Sequence, residues 1–290
     1  MCVVLENHAL KVSIHKKGAE LFSVFNKKTG LEYMWSGDPA FWSKTSPVLF
    51  PIVGALKDGS YSFNDKSYTL SRHGFARDRI FELESKTIDT ATFLLESSLE
   101  TLVLYPFSFS LRIVYQINDY TVTVTYEVVN EGSMPMYFSL GAHPAFKIPL
   151  TEGTIYEDYF LEFNSTESAQ CWKLSPEGLM MNESYSLLHN TTRLALKKEM
   201  FHHDALVFKN MKSDCISMKS SKHNHGVDFF FAGFPYFALW AAKNADFICL
   251  EPWCGIADAV HHDKQLVNKE GMQKISRGQK WSRNWSIKSY

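Results

Sequence analysis

Alternation of apolar and polar residues with a period of two recurs from one end of this chain to the other. It is longest at residues 120–130, Tyr-Thr-Val-Thr-Val-Thr-Tyr-Glu-Val-Val-Asn, where Val122, Val124, Tyr126 and Val128 fall on one side. Successive side chains of a strand point to opposite faces of a sheet, so the pattern predicts a strand with one buried face. Shorter runs of the same kind stand at 10–14, 61–63, 92–95, 109–115, 159–163 and 227–231, each bounded by Gly, Pro, Asn or Asp. Apolar spacing of the i, i+3, i+4, i+7 type never persists beyond three turns, which leaves only 192–200 and the stretch after Tyr33 for short helices. No linker, repeat or low-complexity tract divides the chain. The expectation is therefore all-β: one large antiparallel β-sandwich spanning residues 1–290 as a single domain, with a few short helices. An aromatic content of 14 % suits such pleated, half-buried surfaces, and aromatic rings also stack on the apolar faces of sugars.

Charge and cysteine usage narrow the function classes. Thirty Lys and Arg stand against 31 Asp and Glu, so no polyanion-binding footprint is present and a nucleic-acid partner is not expected. No apolar run approaches the ~18 residues of a membrane helix, and the first residues lack a basic segment followed by an apolar one. Cys2, Cys171, Cys215, Cys249 and Cys254 are scattered and form no C-x-x-C pair, which argues for a reduced, cytoplasmic protein and against a zinc knuckle. Four Asn-x-Ser/Thr matches then carry no meaning. The basic stretch 261–288 alternates at 281–287 like a strand and reads as its solvated outer face.

Four segments carry polar, ionisable residues beside glycine, proline or aromatics. In Ser71-Arg-His73-Gly74-Phe75-Ala-Arg77-Asp78, glycine lets the backbone approach a ligand while His73 and Arg77 donate to oxygens; pairing with Asp78 is the bland alternative. In Ser139-Leu-Gly-Ala-His143-Pro144, an imidazole at a strand end can exchange a proton near neutrality, or be merely structural. Asp204 opens an apolar strand and can hold two vicinal hydroxyls, or cap a turn. Glu251 follows the apolar run 247–250 and precedes Pro252-Trp253, where burial against aromatics would raise its pKa toward that of a general base. His202-His203-Asp204, His261-His262-Asp263 and His223-x-His225 offer metal ligands without a spacing that fixes a coordination geometry, so no metal is expected. A G-x-S-x-G elbow, a P-loop and a dinucleotide fingerprint are all missing, and no cofactor is expected.

Taken together and in order, these segments resemble the aldose 1-epimerase (galactose mutarotase) superfamily, in its LacX-like branch. The resemblance runs through Gly18-Ala-Glu-Leu, Trp35-Ser-Gly-Asp38, Pro47-Val-Leu-Phe-Pro-Ile-Val-Gly54, His73-Gly-Phe-Ala-Arg77, Tyr105-Pro-Phe107, Gly141-Ala-His-Pro-Ala-Phe146, Asp204-Ala-Leu-Val-Phe208, Phe234-Pro-Tyr-Phe-Ala-Leu-Trp240 and Glu251-Pro-Trp253. It implies the supersandwich fold and a sugar as small-molecule partner. It further implies Glu251 as general base on the anomeric hydroxyl, His143 as general acid on the ring oxygen, His73 donating from the other side, and Asp204 holding ring hydroxyls. Arg77 belongs to a string shared with hexose-6-phosphate 1-epimerases. Ala55 stands where the family often has an arginine, with Lys57 two residues on. The implied activity is anomer exchange of a free aldose by a monomer or weak homodimer; a sugar-phosphate epimerase, with Arg72, Arg77 and Lys57 as cations, and a non-catalytic carbohydrate-binding protein are the rivals.

Overall fold

A computed structural model describes residues 2–290. Its centre is a nine-stranded antiparallel sheet, with strands in the order Thr191–Ala195, Tyr159–Glu167, Cys215–Ser220, Val227–Phe230, Lys280–Ser289, Thr121–Asn130, Phe109–Asn118, Thr90–Glu96 and Glu82–Lys86. The long alternating run forms Thr121–Asn130 and lies between two ten-residue strands, with Val124 opposite Tyr115 on one side and Trp285 on the other. Every second residue of it is buried, as the period of two requires.

An eight-stranded sheet carries Met180–Ser186, Gln170–Leu174, Leu206–Lys209, Tyr236–Trp240, Phe247–Cys254, Leu140–Ala142 and Val48–Leu49 in that order. Ala145–Lys147 also pairs with Phe247–Cys254. A four-stranded meander from Cys2–Glu6 to Leu31–Glu32 and two hairpin-sized sheets complete the all-β architecture. One hydrophobic cluster reaches from Val3 to Ile287, so the first and last strands share a core. Buried tyrosines tie this core to the chain around it. The hydroxyls of Tyr33, Tyr105, Tyr115 and Tyr156 donate to the carbonyls of Tyr290, Tyr137, Ala19 and Phe247 respectively.

Helix is as scarce as the periodicity predicts. The one α-helix among the described residues is Leu99–Leu104, started by a Ser98–Thr101 capping box. The two stretches read as possible helices come out differently. Within 192–200, Thr191–Ala195 is an edge strand paired with Tyr159–Glu167, and only Lys198–Phe201 forms a 3-10 turn. Two β-branched threonines at its start favour the sheet edge over a helix. After Tyr33 the chain makes turns and no helix.

The eight-stranded sheet has two unlike faces. Leu206, Phe208, Phe237, Leu239 and Leu250 point into the main core. On the other face Val207, Ala238, Tyr236 and Trp253 form a separate small cluster with Leu49, Val53, Met180, Ile256 and Ala257. A sheet covered by apolar residues on both faces has no solvated side, so whatever polar group interrupts the second face lies in a shielded place.

The tyrosine ties make a stability prediction. Tyr115→Phe deletes the donor to a buried carbonyl at 2.6 Å, and the unpaired oxygen is expected to cost about 1–3 kcal/mol in urea unfolding. An unchanged midpoint would show that Ala19 finds another partner.

Candidate active site

Sheet register creates the central pair. Gly141 pairs with Trp253 and Ala145 with Cys249, so His143, midway between them, falls opposite Glu251 on the same face. Pro144 adds no donor here, yet its carbonyl accepts from Leu250 N–H and keeps the strands together. His143 Nε2 and Glu251 Oε2 approach to 3.2 Å. On the other side Glu251 pairs with Ala238, which pairs with Val207. These short side chains leave a cavity of about 200 Å3 above the carboxyl, the liquid volume of some six or seven waters at ~30 Å3 each. That is room for one sugar-sized ring, below the ~300–1,000 Å3 of drug-sized ligand sites.

Burial sets the proton affinities of the pair. Glu251 is 1 % exposed and His143 8 %. Removal from water pushes the Glu251 carboxyl well above the usual carboxylate range, with the nearby Asp204 charge adding to it. The same cause pushes His143 down to about 3, aided by the Arg77 cation. His143 is packed beside Trp42 and Trp240, with ring centroids at 4.9 and 5.5 Å, and meets the edge of His73 at 5.8 Å.

His73 reaches the cavity from a backbone turn fastened to Gly54. Its N–H donates to the Gly54 carbonyl at 3.0 Å, and its Nδ1 accepts from Gly54 N–H at 3.2 Å. With Nδ1 an acceptor, the tautomer assigned by this contact carries its proton on Nε2 as a donor. Burial, then the charges of His143 and Arg77, hold His73 well below its ordinary pKa, so it donates as a neutral ring. Gly54 and Gly74 are both needed at positive φ. A Cβ on Gly54 would stand 2.5 Å from that of Ala257, and one on Gly74 2.3 Å from the Phe50 carbonyl oxygen.

The remaining sequence candidates are also brought to this cavity. Arg77 sits in the 3-10 turn Ala76–Asp78; its Nη2 donates to the Arg72 carbonyl and its Nε lies 3.7 Å from Asp78. Asp204 caps Ala205 N–H with Oδ1, the turn role, while its Oδ2 stands 4.0 Å from Arg72. Both line the cavity. Lys57 does not: its backbone N–H is held by Asp258 and its Nζ by the His262 carbonyl, in the neighbouring hollow. The His-rich triplets stay apart, with His202 on Asn244, His223 on Tyr159 and His262 beside Asp258.

Sequence reasoning missed several walls. Trp42 and Trp240 enclose His143, and the turn after Leu174 brings Gly178 and Met180 over the cavity. A Cβ on Gly178 would lie 1.8 Å from the Arg72 guanidinium, so this glycine admits Arg72 to the rim. No local pattern marks Trp42, Gly178 or Met180, and Trp240 closes a motif of the resemblance without a role assigned to it. Three of the six buried polar side-chain atoms without a hydrogen bond, Arg77 Nε, His143 Nδ1 and Trp253 Nε1, belong to residues that line the cavity. Buried polar groups are normally satisfied, so these three are open to a polar ligand.

The fold is a mostly antiparallel sandwich with a Glu–His pair on a shielded sheet face, ringed by tryptophan, histidine and arginine. The chain belongs to the aldose 1-epimerase family, whose sequence profile matches residues 1–273. It is 36 % identical over 284 residues to the chromosomal protein LacX of Lactococcus lactis subsp. lactis, covering 95 % of each chain. In three dimensions it superposes on the galactose mutarotase related enzyme of Lactobacillus acidophilus with a TM-score of 0.96 at 32 % identity, covering 100 % of this chain and 97 % of the other. A galactose mutarotase-like protein of Lactobacillus casei gives 0.94 at 29 % identity and 100 % coverage of both.

The pair has a cost that can be measured. Glu251 has a folded pKa above its unfolded value, so its contribution to stability is full below the unfolded pKa and is lost as pH rises through the folded one. Glu251→Gln cannot ionise. The variant is expected to melt above the parent at pH 7–8, with the gap closing as pH falls toward ~4.3, the reference value for glutamate. Equal melting temperatures at pH 8 would mean that the carboxyl is not held in its acid form.

Proposed function

We propose that the protein is an aldose 1-epimerase that interconverts the α and β anomers of a free aldose, with Glu251 and His143 moving the protons. The observation that carries this reading is the 3.2 Å contact between a buried carboxyl and a buried imidazole on the floor of a cavity sized for one sugar ring. Opening a pyranose requires one proton to leave the anomeric O1 while another reaches ring O5. Glu251 takes the first and His143 Nε2 supplies the second. Rotation about the C1–C2 bond turns the free aldehyde over, and reclosure with the transfers reversed gives the other anomer. Neutral His73 donates to the sugar from across the cavity, and Asp204 with Arg72 and Arg77 holds its hydroxyls. The five free cysteines fit the cytoplasmic setting that we infer.

Each turnover uses one proton shared between the two groups, whichever holds it in the resting state. Their environments push the affinities apart, Glu251 upward and His143 downward. The singly protonated pair therefore persists over a wide range, with apparent pKa values that belong to the pair. The expected kcat/KM holds from mildly acidic to neutral pH and falls on the alkaline side as the shared proton is lost, well above the ordinary carboxylate range. A rate that climbs steadily from pH 5 to 9 would contradict this proton count.

Polarimetry of freshly dissolved α-glucose and α-galactose is the direct test. Glu251→Gln and His143→Asn are each expected to lower the catalysed rate by about 10²–10⁴-fold, the typical share of a general acid or base. Full activity in both variants would refute the assignment. A second reading, a sugar-phosphate epimerase, draws support from the Arg72 and Arg77 guanidiniums in the lining. Preference for a hexose phosphate, abolished by Arg77→Ala, would select it. Sugar binding without acceleration would instead identify a binding protein.

A further inference from the structure

Beneath the acid/base pair lies a ligating side chain that the proposed chemistry does not use. Cys249 precedes Glu251 by two residues on the same face of Phe247–Cys254 and is completely buried. Its cross-strand neighbours are Ala145 on one side and Trp240 on the other. One ligand atom from each of His143, Cys249 and Glu251 lies within 4.8 Å of the others. We propose that these three side chains form an inhibitory binding site for a zinc-class divalent cation, which switches the acid/base pair off when it is held there.

The donor set selects the ion. Thiolate, imidazole and carboxylate are the ligands zinc takes, at about 2.0–2.3 Å in tetrahedral geometry. Such bonds place ligand atoms about 3.3–3.8 Å apart, so the widest pair of the trio has to close by about 1–1.5 Å from its present limit of 4.8 Å. Magnesium and calcium prefer a shell of oxygens, of which this site supplies one carboxylate. A thiolate and a carboxylate also cancel the double charge of the ion, which favours a complex so far from water. The thiol proton, and any proton on the carboxyl, leave for solvent, and no electron is transferred.

The geometry makes the ion an inhibitor rather than a cofactor. His143 and Glu251 would each spend on the metal the lone pair that the proton transfers need. His143 and Glu251 both line the cavity that a sugar would enter, so an ion held between them stands in its way. Metal and sugar are then mutually exclusive. The inhibition rests on the epimerase reading; the binding does not.

The test uses the full chain, freed of metals with a chelator, and zinc chloride as the probe. Calorimetry should give one strong site, and zinc should inhibit mutarotation competitively with sugar and reversibly on adding EDTA. Cobalt(II) in the same site should show thiolate-to-metal absorption. Cys249→Ala should keep its mutarotase activity, lose the cobalt absorption, and need at least about tenfold more zinc for the same inhibition, the lower end of what disturbing a metal site costs. Cys249→Ser serves as a second variant if alanine at this buried position impairs folding. Zinc inhibition unchanged in a folded Cys249 variant, or cobalt binding without thiolate absorption, would overturn the proposal. If no sugar is a substrate, calorimetry and the cobalt spectrum still decide whether the site exists.

Discussion

A carboxyl and an imidazole that face each other across one antiparallel strand pair, with almost no access to water, set the terms for everything around them. Neither group is charged cheaply in such a place, because the protein interior solvates an ion far less well than water does. The consequence is that burial drives the two proton affinities apart, Glu251 upward and His143 downward, which suits the proton transfers proposed for the pair. A surface Glu–His contact would sit near ordinary pKa values and lose that property to solvent screening.

Holding such a pair requires a frame that does not yield. The nine-stranded sheet and the inner face of the eight-stranded sheet supply it through a continuous core of Leu, Val, Phe and Trp, with tyrosine hydroxyls fastening the backbone at four places. The outer face of the second sheet is then free to depart from ordinary core chemistry. Ala238 and Val207 keep the floor low beside Glu251, and Trp42, Trp240 and Trp253 raise the walls. The turn that carries His73 is locked by two hydrogen bonds to Gly54, which itself packs against Ala257 without room for a side chain. Rigidity built by the core is thus passed to the site through backbone contacts.

Much of this is legible in the sequence. A period of two over 120–130 leaves little choice but a strand with one buried face, and its repetition predicts an antiparallel sandwich. The ordered motifs around His73, His143, Asp204 and Glu251 pointed to one family and one cavity, in which the structure brings all four together with Arg77. Lys57 was misplaced because its side chain is claimed by a carbonyl across a loop, which no linear pattern reveals. Residues 192–200, with room for a short helix by their pattern, hold an edge strand and a 3-10 turn, because a strand edge and a short helix look alike until the neighbouring strand is known.

The sequence by itself determined the strand-rich fold class, through side-chain alternation, and the residue types available for proton transfer. Tertiary structure alone decided which of them meet. His143 and Glu251 are more than a hundred residues apart, and only the register of Leu140–Ala142 and Ala145–Lys147 against Phe247–Cys254 sets them face to face. The shifted proton affinities, the unpaired donors and the thiol lying beneath the pair follow from that pairing, because burial is a property of neighbours in space and not of neighbours along the chain.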